Sequence, residues 1–186
     1  RLLGVHFNMI FALPAASDPD PMAGVTDAEK VRFAAAANRI ADGTGFDALW
    51  TIEHHFTPYT MVTNPLQYLT YVAGITKNVD LGTMVVVLPW HNPVRVAEDV
   101  NMLDAFLGEG REVILGVGRG LGRREFGGLN IDQNESRSRF DESLQVLKQL
   151  LSTGRCDYHG EHYQIDDLRL RPQLERDLTP NLWCAG

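Results

Sequence analysis

Three ionisable side chains stand together at the end of an apolar run. Glu53, His54, His55 and Phe56 follow residues 46–52, a stretch that is typical of a buried strand. Two imidazoles and a carboxylate are costly to remove from water, so a chain that places them there is expected to use them. Because imidazole titrates near neutral pH, the group predicts a site of proton transfer.

The same residues also have structural interpretations. A lone histidine at a strand end is more often held by a carbonyl than catalytic. Adjacent side chains on a strand point to opposite faces, so His54 and His55 diverge, and the three groups are poorly placed to bind one metal ion. Glu53 is expected on the side of His55, where its carboxylate would fix a neighbouring donor. For His55, a structural or subunit-contact role and a catalytic role stay open.

Composition limits the class of protein that surrounds this group. Of the 186 residues, 44% are hydrophobic and 22% are charged, which is enough apolar material for a globular core. The net charge of −7, with no Lys/Arg-rich run, argues against nucleic-acid or membrane partners. Cys156 and Cys184 lack metal-ligand spacing, so neither zinc nor a disulfide framework is indicated. Since the chain has no signal-peptide pattern and no apolar run of transmembrane length, we expect a cytoplasmic protein.

Strands and helices are predicted to alternate along the chain. Apolar runs predict strands at residues 2–10, 46–52, 79–88, 113–117 and 181–185. Apolar stripes and capping residues, including a capping box at Thr26 and Glu29, predict helices over residues 26–43, 65–77, 92–107 and 140–153. A polar excursion, residues 155–172, comes before the last strand.

This alternation predicts a parallel sheet covered by helices, either a doubly wound sheet or a TIM-type βα barrel. The barrel is favoured because no glycine-rich phosphate loop follows the first strand, whereas polar residues follow three successive strands, as they do at a barrel mouth. Those residues are Glu53 to His55, Pro89 to Asn92, and Arg119. A complete barrel has about 250 residues. We therefore expect a single domain, residues 1–186, that forms an incomplete barrel with about five of eight strands.

Five segments, taken in order, resemble one known family. They are EHHF at residues 53–56, Asn64-Pro65, LGTMVVVLPWHNPVRVAEDVNMLD at residues 81–104, Gly110-Arg111 and GVGRGL at residues 116–121. The series is similar to the bacterial luciferase-like flavin-dependent monooxygenases, particularly to luciferase catalytic subunits. The resemblance implies a βα barrel that takes reduced FMN from a separate reductase and forms a 4a-hydroperoxyflavin with oxygen. An aldehyde, alkane, terpene or ketone would then be oxygenated.

The resemblance also implies roles for individual residues. His54 would be the acid/base beside the flavin, with His55 as a second catalytic candidate and Glu53 as a cofactor-binding candidate. Met84 and Val85 would lie beneath the isoalloxazine ring, joined by a non-prolyl cis peptide bond. In the absence of the resemblance, the stretch around them is equally well explained as a core strand with a glycine bulge.

Two arginines are the candidates for binding the flavin phosphate. Arg119 stands between two glycines that leave room for an anion, and its planar guanidinium suits phosphate. The second arginine of the family site matches Arg137 or Arg139, and Arg137 is preferred. At Gly118 the chain departs from luciferase, which has a reactive cysteine there. The family's serine and threonine at this site would come after Gly186.

Several alternatives remain open on the sequence alone. A deazaflavin-dependent oxidoreductase and a non-catalytic, flavin-binding partner subunit share the family's barrel, whereas a metal-dependent βα hydrolase is disfavoured because carboxylate ligands do not converge at the strand ends. For Trp90 and His91, a surface-loop role and a pocket role are equally supported. By resemblance, a homodimer is expected to form through the helices next to the second and third strands.

Overall fold

The computed structural model describes residues 5–7, 24–57 and 61–185. The rest of the first predicted strand, residues 2–4 and 8–10, lies outside these ranges. In chain order the elements are β1 (Val5–Phe7), α1 (Asp27–Ala41), β2 (Ala48–Thr51), α2 (Pro65–Ile75), β3 (Asp80–Val87), α3 (Pro93–Leu107), β4 (Val113–Gly118), α4 (Arg123–Gly128), α5 (Ser136–Thr153), β5 (Arg155–His159), β6 (Gln164–Arg169) and β7 (Leu182–Cys184).

Five parallel strands form the main sheet in the order β1-β2-β3-β4-β7. Each strand lies beside its predecessor in the sheet, whereas a doubly wound sheet reverses its strand order at a switch point. The order is therefore that of a barrel wall. Over the described residues the wall remains open.

Local capping signals explain where the main helices begin. Thr26 and Glu29 form the predicted capping box at α1, because the Thr26 side chain accepts from the Glu29 N–H and the Glu29 carboxylate accepts from the Thr26 N–H. Asn64 and Asn92 cap α2 and α3, and a proline follows each of them at the first helical position. Gly154 ends α5 in the left-handed region, at φ 69°.

The core lies between the sheet and its helices. Leu49, Leu81 and Leu115 point from successive strands into the apolar cluster formed with α2, α3 and α5. Side chains alternate along a strand, so Trp50, Gly82, Gly116 and Gly118 belong to the opposite face. On that face the rings of Trp50 and Trp183 are 5.2 Å apart between centroids. A Cβ at Gly82 would lie 2.6 Å from the Trp50 ring, so only glycine fits there.

Two segments have more structure than the sequence patterns predicted. The loop expected after β4 contains α4, a helix of six residues. The excursion at residues 155–172 is an antiparallel hairpin made of β5 and β6. Its turn is held to α5 by Glu142, whose carboxylate accepts the backbone N–H groups of residues 161, 162 and 163 at 2.7, 2.9 and 3.2 Å. None of the helices within the described ranges combines the length and the apolar character needed to cross a membrane.

Candidate active site

The carboxyl ends of β2, β3 and β4 bring the predicted polar segments together. In the sheet Thr51 pairs with Thr83, and Val87 pairs with Gly118. The EHHF segment, the residues after β3 and the GRG segment after β4 therefore meet at one edge, as the barrel interpretation predicted. The His54 N–H also donates to the Val62 carbonyl at 3.1 Å, which fixes the backbone after β2.

Glu53 is a buried carboxylate that accepts hydrogen bonds from three donors. Its Oε1 lies 2.9 Å from His55 Nε2 and 2.6 Å from His91 Nε2, and its Oε2 accepts the Val87 N–H at 2.8 Å. Burial alone would raise the pKa of Glu53, but the hydrogen bonds from His55, His91 and Val87 outweigh it and lower the pKa below its usual value. Glu53 is therefore held as an anion.

Glu53 was predicted as a cofactor-binding residue, and that role stays a prediction. The side chain has no exposed surface, and both oxygens are occupied by protein donors. Its contribution is to fix neighbouring donors, which the alternation along the strand had indicated. Both His55 and His91 must present an Nε2–H to an oxygen that only accepts, so the same carboxylate fixes a proton on Nε2 of each ring.

His54 lies against a different carboxylate, that of Glu125 in α4. Its Nδ1 is 3.1 Å from Glu125 Oε1, and the same oxygen accepts the backbone N–H of His55 at 2.9 Å. The Glu125 side chain is 8% exposed, whereas that of His54 is 34% exposed. Because the carboxylate holds the proton on Nδ1, the neutral ring has its lone pair on Nε2. The pair thus resembles a base with a buried orienting group.

His55 belongs to a packed support. Its ring lies 5.6 Å from that of Phe56 and 5.4 Å from that of Trp90, and Trp90 packs edge-on against Phe126 at 5.5 Å between centroids. With its Nε2 engaged by Glu53, His55 fits the structural alternative. The predicted catalytic role of His55 stays a prediction.

Met84 and Val85, predicted to lie beneath the flavin ring, are in the second half of β3, and their cofactor-binding role stays a prediction. The peptide bond between them is cis, as the family resemblance predicted. The pairing of β3 with β4 shifts register between Thr83 and Val86, and the Met84 side chain is exposed within the strand. A Cβ at Gly118 would lie 2.7 Å from Val85 Cγ2. The Val85 side chain therefore explains why a cysteine at position 118 would not fit.

The two arginines predicted to bind the flavin phosphate differ in burial. Arg119 is half-buried directly after β4, and Arg137 is exposed in the first turn of α5. Arg139 pairs with Glu135 at 2.8 Å, whereas Arg119 and Arg137 have no ion pair to a described residue. This difference favours Arg137 over Arg139 as an available cation. The roles of the two arginines in binding stay predictions.

Sequence reasoning missed Glu125 and left His91 undecided. Glu125 lies in a segment too short and too rich in glycine to show helical periodicity, and its partner is 71 positions away. His91 follows a predicted strand, which is the signal that marked His54, but it has no second ionisable residue beside it. Its bond to Glu53 depends on the register of β2 and β3.

Comparisons with known proteins show the family of this chain. A profile of luciferase-like monooxygenases matches residues 8–186. The chain belongs to the luciferase-like monooxygenase family. The alkanal monooxygenase alpha chain of Photorhabdus laumondii is 35% identical over 134 residues, which are 72% of this chain and 37% of that protein. The oxygenase component of the flavin-dependent trigonelline monooxygenase of Acinetobacter baylyi is 32% identical over 150 residues, which are 80% of this chain and 41% of that protein.

Solved structures share the fold of this luciferase-like chain. Monooxygenase RslO1 from Streptomyces bottropensis superposes with a TM-score of 0.81 at 26% identity, over 88% of this chain and 50% of that one. An F420-dependent secondary alcohol dehydrogenase superposes with a TM-score of 0.70 at 21% identity, over 84% and 48%. The predicted barrel fold is thereby confirmed. The chain spans about half the length, or less, of these relatives.

Proposed function

We propose that this chain supplies the proton-transfer and flavin-facing part of a two-component, FMN-dependent monooxygenase. The observation that carries the proposal is the pairing of half-buried His54 with buried Glu125 at the carboxyl edge of the sheet. A general base needs an oriented ring and access to the reacting group, and this pair provides both.

The described residues fit a flavin mononucleotide. Arg119 and Arg137 form no ion pair with a described residue, so both cations are available to a phosphate. Met84 offers an exposed apolar surface for an aromatic ring. Gly120 has φ 74°, and a Cβ there would lie 2.5 Å from Val87 Cγ1, so the backbone beside Arg119 stays bare. Reduced FMN, when bound, would supply the electrons that activate oxygen for transfer of one oxygen atom to the substrate.

His54 is assigned the proton steps. Glu125 holds the proton on His54 Nδ1, so His54 Nε2 accepts a proton from the reacting group and later returns it. The ring is charged in between, and the Glu125 carboxylate stabilises that charge. Glu53, His55 and His91 take no proton in this scheme, because their hydrogen bonds hold the end of β2 against the end of β3.

The relatives support a proposal for the substrate and the partners. The alkanal and trigonelline monooxygenases support a small organic substrate, with an aldehyde as the first candidate and a ketone, alkane or terpene as the others. The latter relative is an oxygenase component, which supports a separate flavin reductase as partner. Exposed Tyr71 on α2, and Met102 and Phe106 on α3, support the predicted homodimer, since apolar surface of this kind favours association. We propose that the protein acts in the cytoplasm.

The test is a His54→Ala variant of the protein expressed from its complete gene. Reduced FMN and oxygen are mixed with a panel of straight-chain aldehydes and cyclic ketones, and the product is quantified. We expect product formation to fall by about 10²- to 10⁴-fold with FMN affinity unchanged. Unchanged turnover in His54→Ala would refute the assigned role.

Two further outcomes separate the alternatives. Tight binding of reduced deazaflavin and hydride transfer without oxygen would assign the chain to the dehydrogenase branch of the fold. FMN binding with no turnover of any substrate by the wild-type protein would assign it to the partner subunits.

A further inference from the structure

Helix α4 contacts three consecutive residues of the EHHF segment. Glu125 Oε1 accepts from His54 Nδ1 and from the His55 backbone N–H. The ring of Phe56, the next residue, lies over Gly128 at the end of the same helix. The buried carboxylate and the ring contact are three residues apart on α4, and such residues share one face of a helix.

The contact at Gly128 depends on the absence of a side chain. A Cβ there would lie 2.3 Å from Phe56 Cε2, 2.7 Å from Cδ2 and 3.0 Å from Cζ. No real Cβ tolerates such distances, so alanine at position 128 must displace the ring. Gly127 precedes it in the same helix, and a Cβ at Gly127 would meet nothing within 4 Å.

Phe56 has an unusual backbone for an aromatic residue. Its φ is 58°, in the left-handed region that bulky side chains rarely adopt. Such a conformation persists only where the surroundings impose it, and it occurs often at functional sites. Here the turn at Phe56 directs the ring onto α4 directly after His54 and His55.

We propose that Phe56 and Gly128 are positioning residues, which hold the EHHF segment on α4 so that the His54 imidazole meets Glu125. The hydrogen bond sets the tautomer of His54, and the ring contact sets the distance of the segment from the helix. We call the contact of Phe56 with Gly128 the clamp. Its effect on catalysis rests on the proposed function of His54, whereas its effect on the position of the His54 ring is independent of that function.

The test compares Gly128→Ala with Gly127→Ala in the protein expressed from its complete gene. Both changes put the same methyl group into the same helix, and only the first meets Phe56. We expect Gly128→Ala to lower kcat by about tenfold or more, because small displacements of a catalytic group have large effects on rate. Its affinity for oxidised FMN should be unchanged. Gly127→Ala should match the wild type in both measurements.

A double-mutant cycle of Phe56→Ala and Gly128→Ala tests whether the Phe56 ring causes the fall in kcat. Once the ring is removed in Phe56→Ala, Gly128→Ala should have no further effect on kcat, so the two changes should be strongly non-additive. Equal behaviour of Gly128→Ala and Gly127→Ala, or additive effects in the cycle, would overturn the proposal.

The nitrogen chemical shifts of the His54 ring give a measurement that needs no turnover. They should change in Gly128→Ala and stay as in the wild type in Gly127→Ala. If the wild-type protein converts none of the offered substrates, the proposed function fails, while these shifts still decide whether the clamp exists. Unchanged His54 shifts in Gly128→Ala would count against it.

Discussion

His54 and His55 are neighbours in sequence with opposite surroundings. His55 faces Glu53, a carboxylate with no exposed surface that is saturated by two imidazoles and one backbone N–H. His54 faces Glu125, and a third of its side chain remains exposed. The same pair of chemical groups therefore forms a closed structural junction on one side of the segment and, on the other, a partly exposed imidazole that we propose as the acid/base. Substitutions should affect stability on the Glu53 side and rate on the Glu125 side.

The largest effect is expected for Glu53→Gln. The amide must turn its NH₂ group either toward the Val87 N–H or toward the two imidazole N–H groups, so donors face donors in a buried site. Removing one partner of a buried charge cluster costs about 3–5 kcal/mol. Chemical denaturation of wild type and variant measures the loss. A free energy of unfolding within about 1 kcal/mol of the wild type would contradict the stabilising role of Glu53.

Glu125→Gln should act mainly on rate. The amide keeps the size of the side chain but loses the charge that stabilises protonated His54, so we expect kcat to fall about 10- to 100-fold with a small change in stability. Steady-state kinetics measures the fall in kcat, and thermal unfolding of the same preparation measures the change in stability. Glu125→Asp is the matched control, since it keeps the charge and shortens the reach. A variant that loses stability but not rate would reverse the two assignments.

His91→Gln should have a smaller effect, and on stability only. A glutamine amide still donates a hydrogen bond to Glu53 Oε1, but its flexible side chain holds the donor in place less firmly than the imidazole does. The net value of such a bond is about 1–2 kcal/mol. Equilibrium unfolding measures it, while kcat should stay within about twofold of the wild type. A large fall in kcat would show that His91 belongs to the reacting side.

The stability of the protein should depend on pH through the ionisation of Glu53. The pKa of Glu53 is lowered in the folded protein, so its stabilisation is complete above the unfolded pKa and is lost as pH falls through the folded value, below the usual 4.5. The slope from one such group is at most about 1.4 kcal/mol per pH unit. The free energies of unfolding of wild type and Glu53→Gln, measured at a series of acidic pH values, should converge as the pH falls. Parallel curves would contradict the assigned ionisation.

Elements with local signals were predicted closely. Helices α1 and α3 begin where Thr26 and Asn92 indicated, α2 begins at Pro65 as predicted, and the order of strands and helices is as expected. A cap is decided by residues three or four positions apart, so the sequence alone contains it. Helix α4 was missed because Arg123 to Gly128 is shorter than two turns and ends in glycines.

The site was predictable in location but not in pairing. His54 was identified through its place after a strand and through the family motifs. Its partner Glu125 depends on how α4 folds back, and His91 depends on the register between β2 and β3. Glu53 was named a cofactor-binding candidate through the family resemblance, and the alternation along the strand indicated only that it would fix a neighbouring donor. The donors that occupy it become visible only when the strands are assembled.

The contact between Val85 and Gly118 limits how this site could be re-engineered. Strands β3 and β4 share a space large enough for one branched side chain, and Val85 fills it. A cysteine introduced at position 118 for chemical labelling would therefore need a smaller residue at position 85 in the same design. Libraries that vary only one of the two positions would sample mostly clashes or voids.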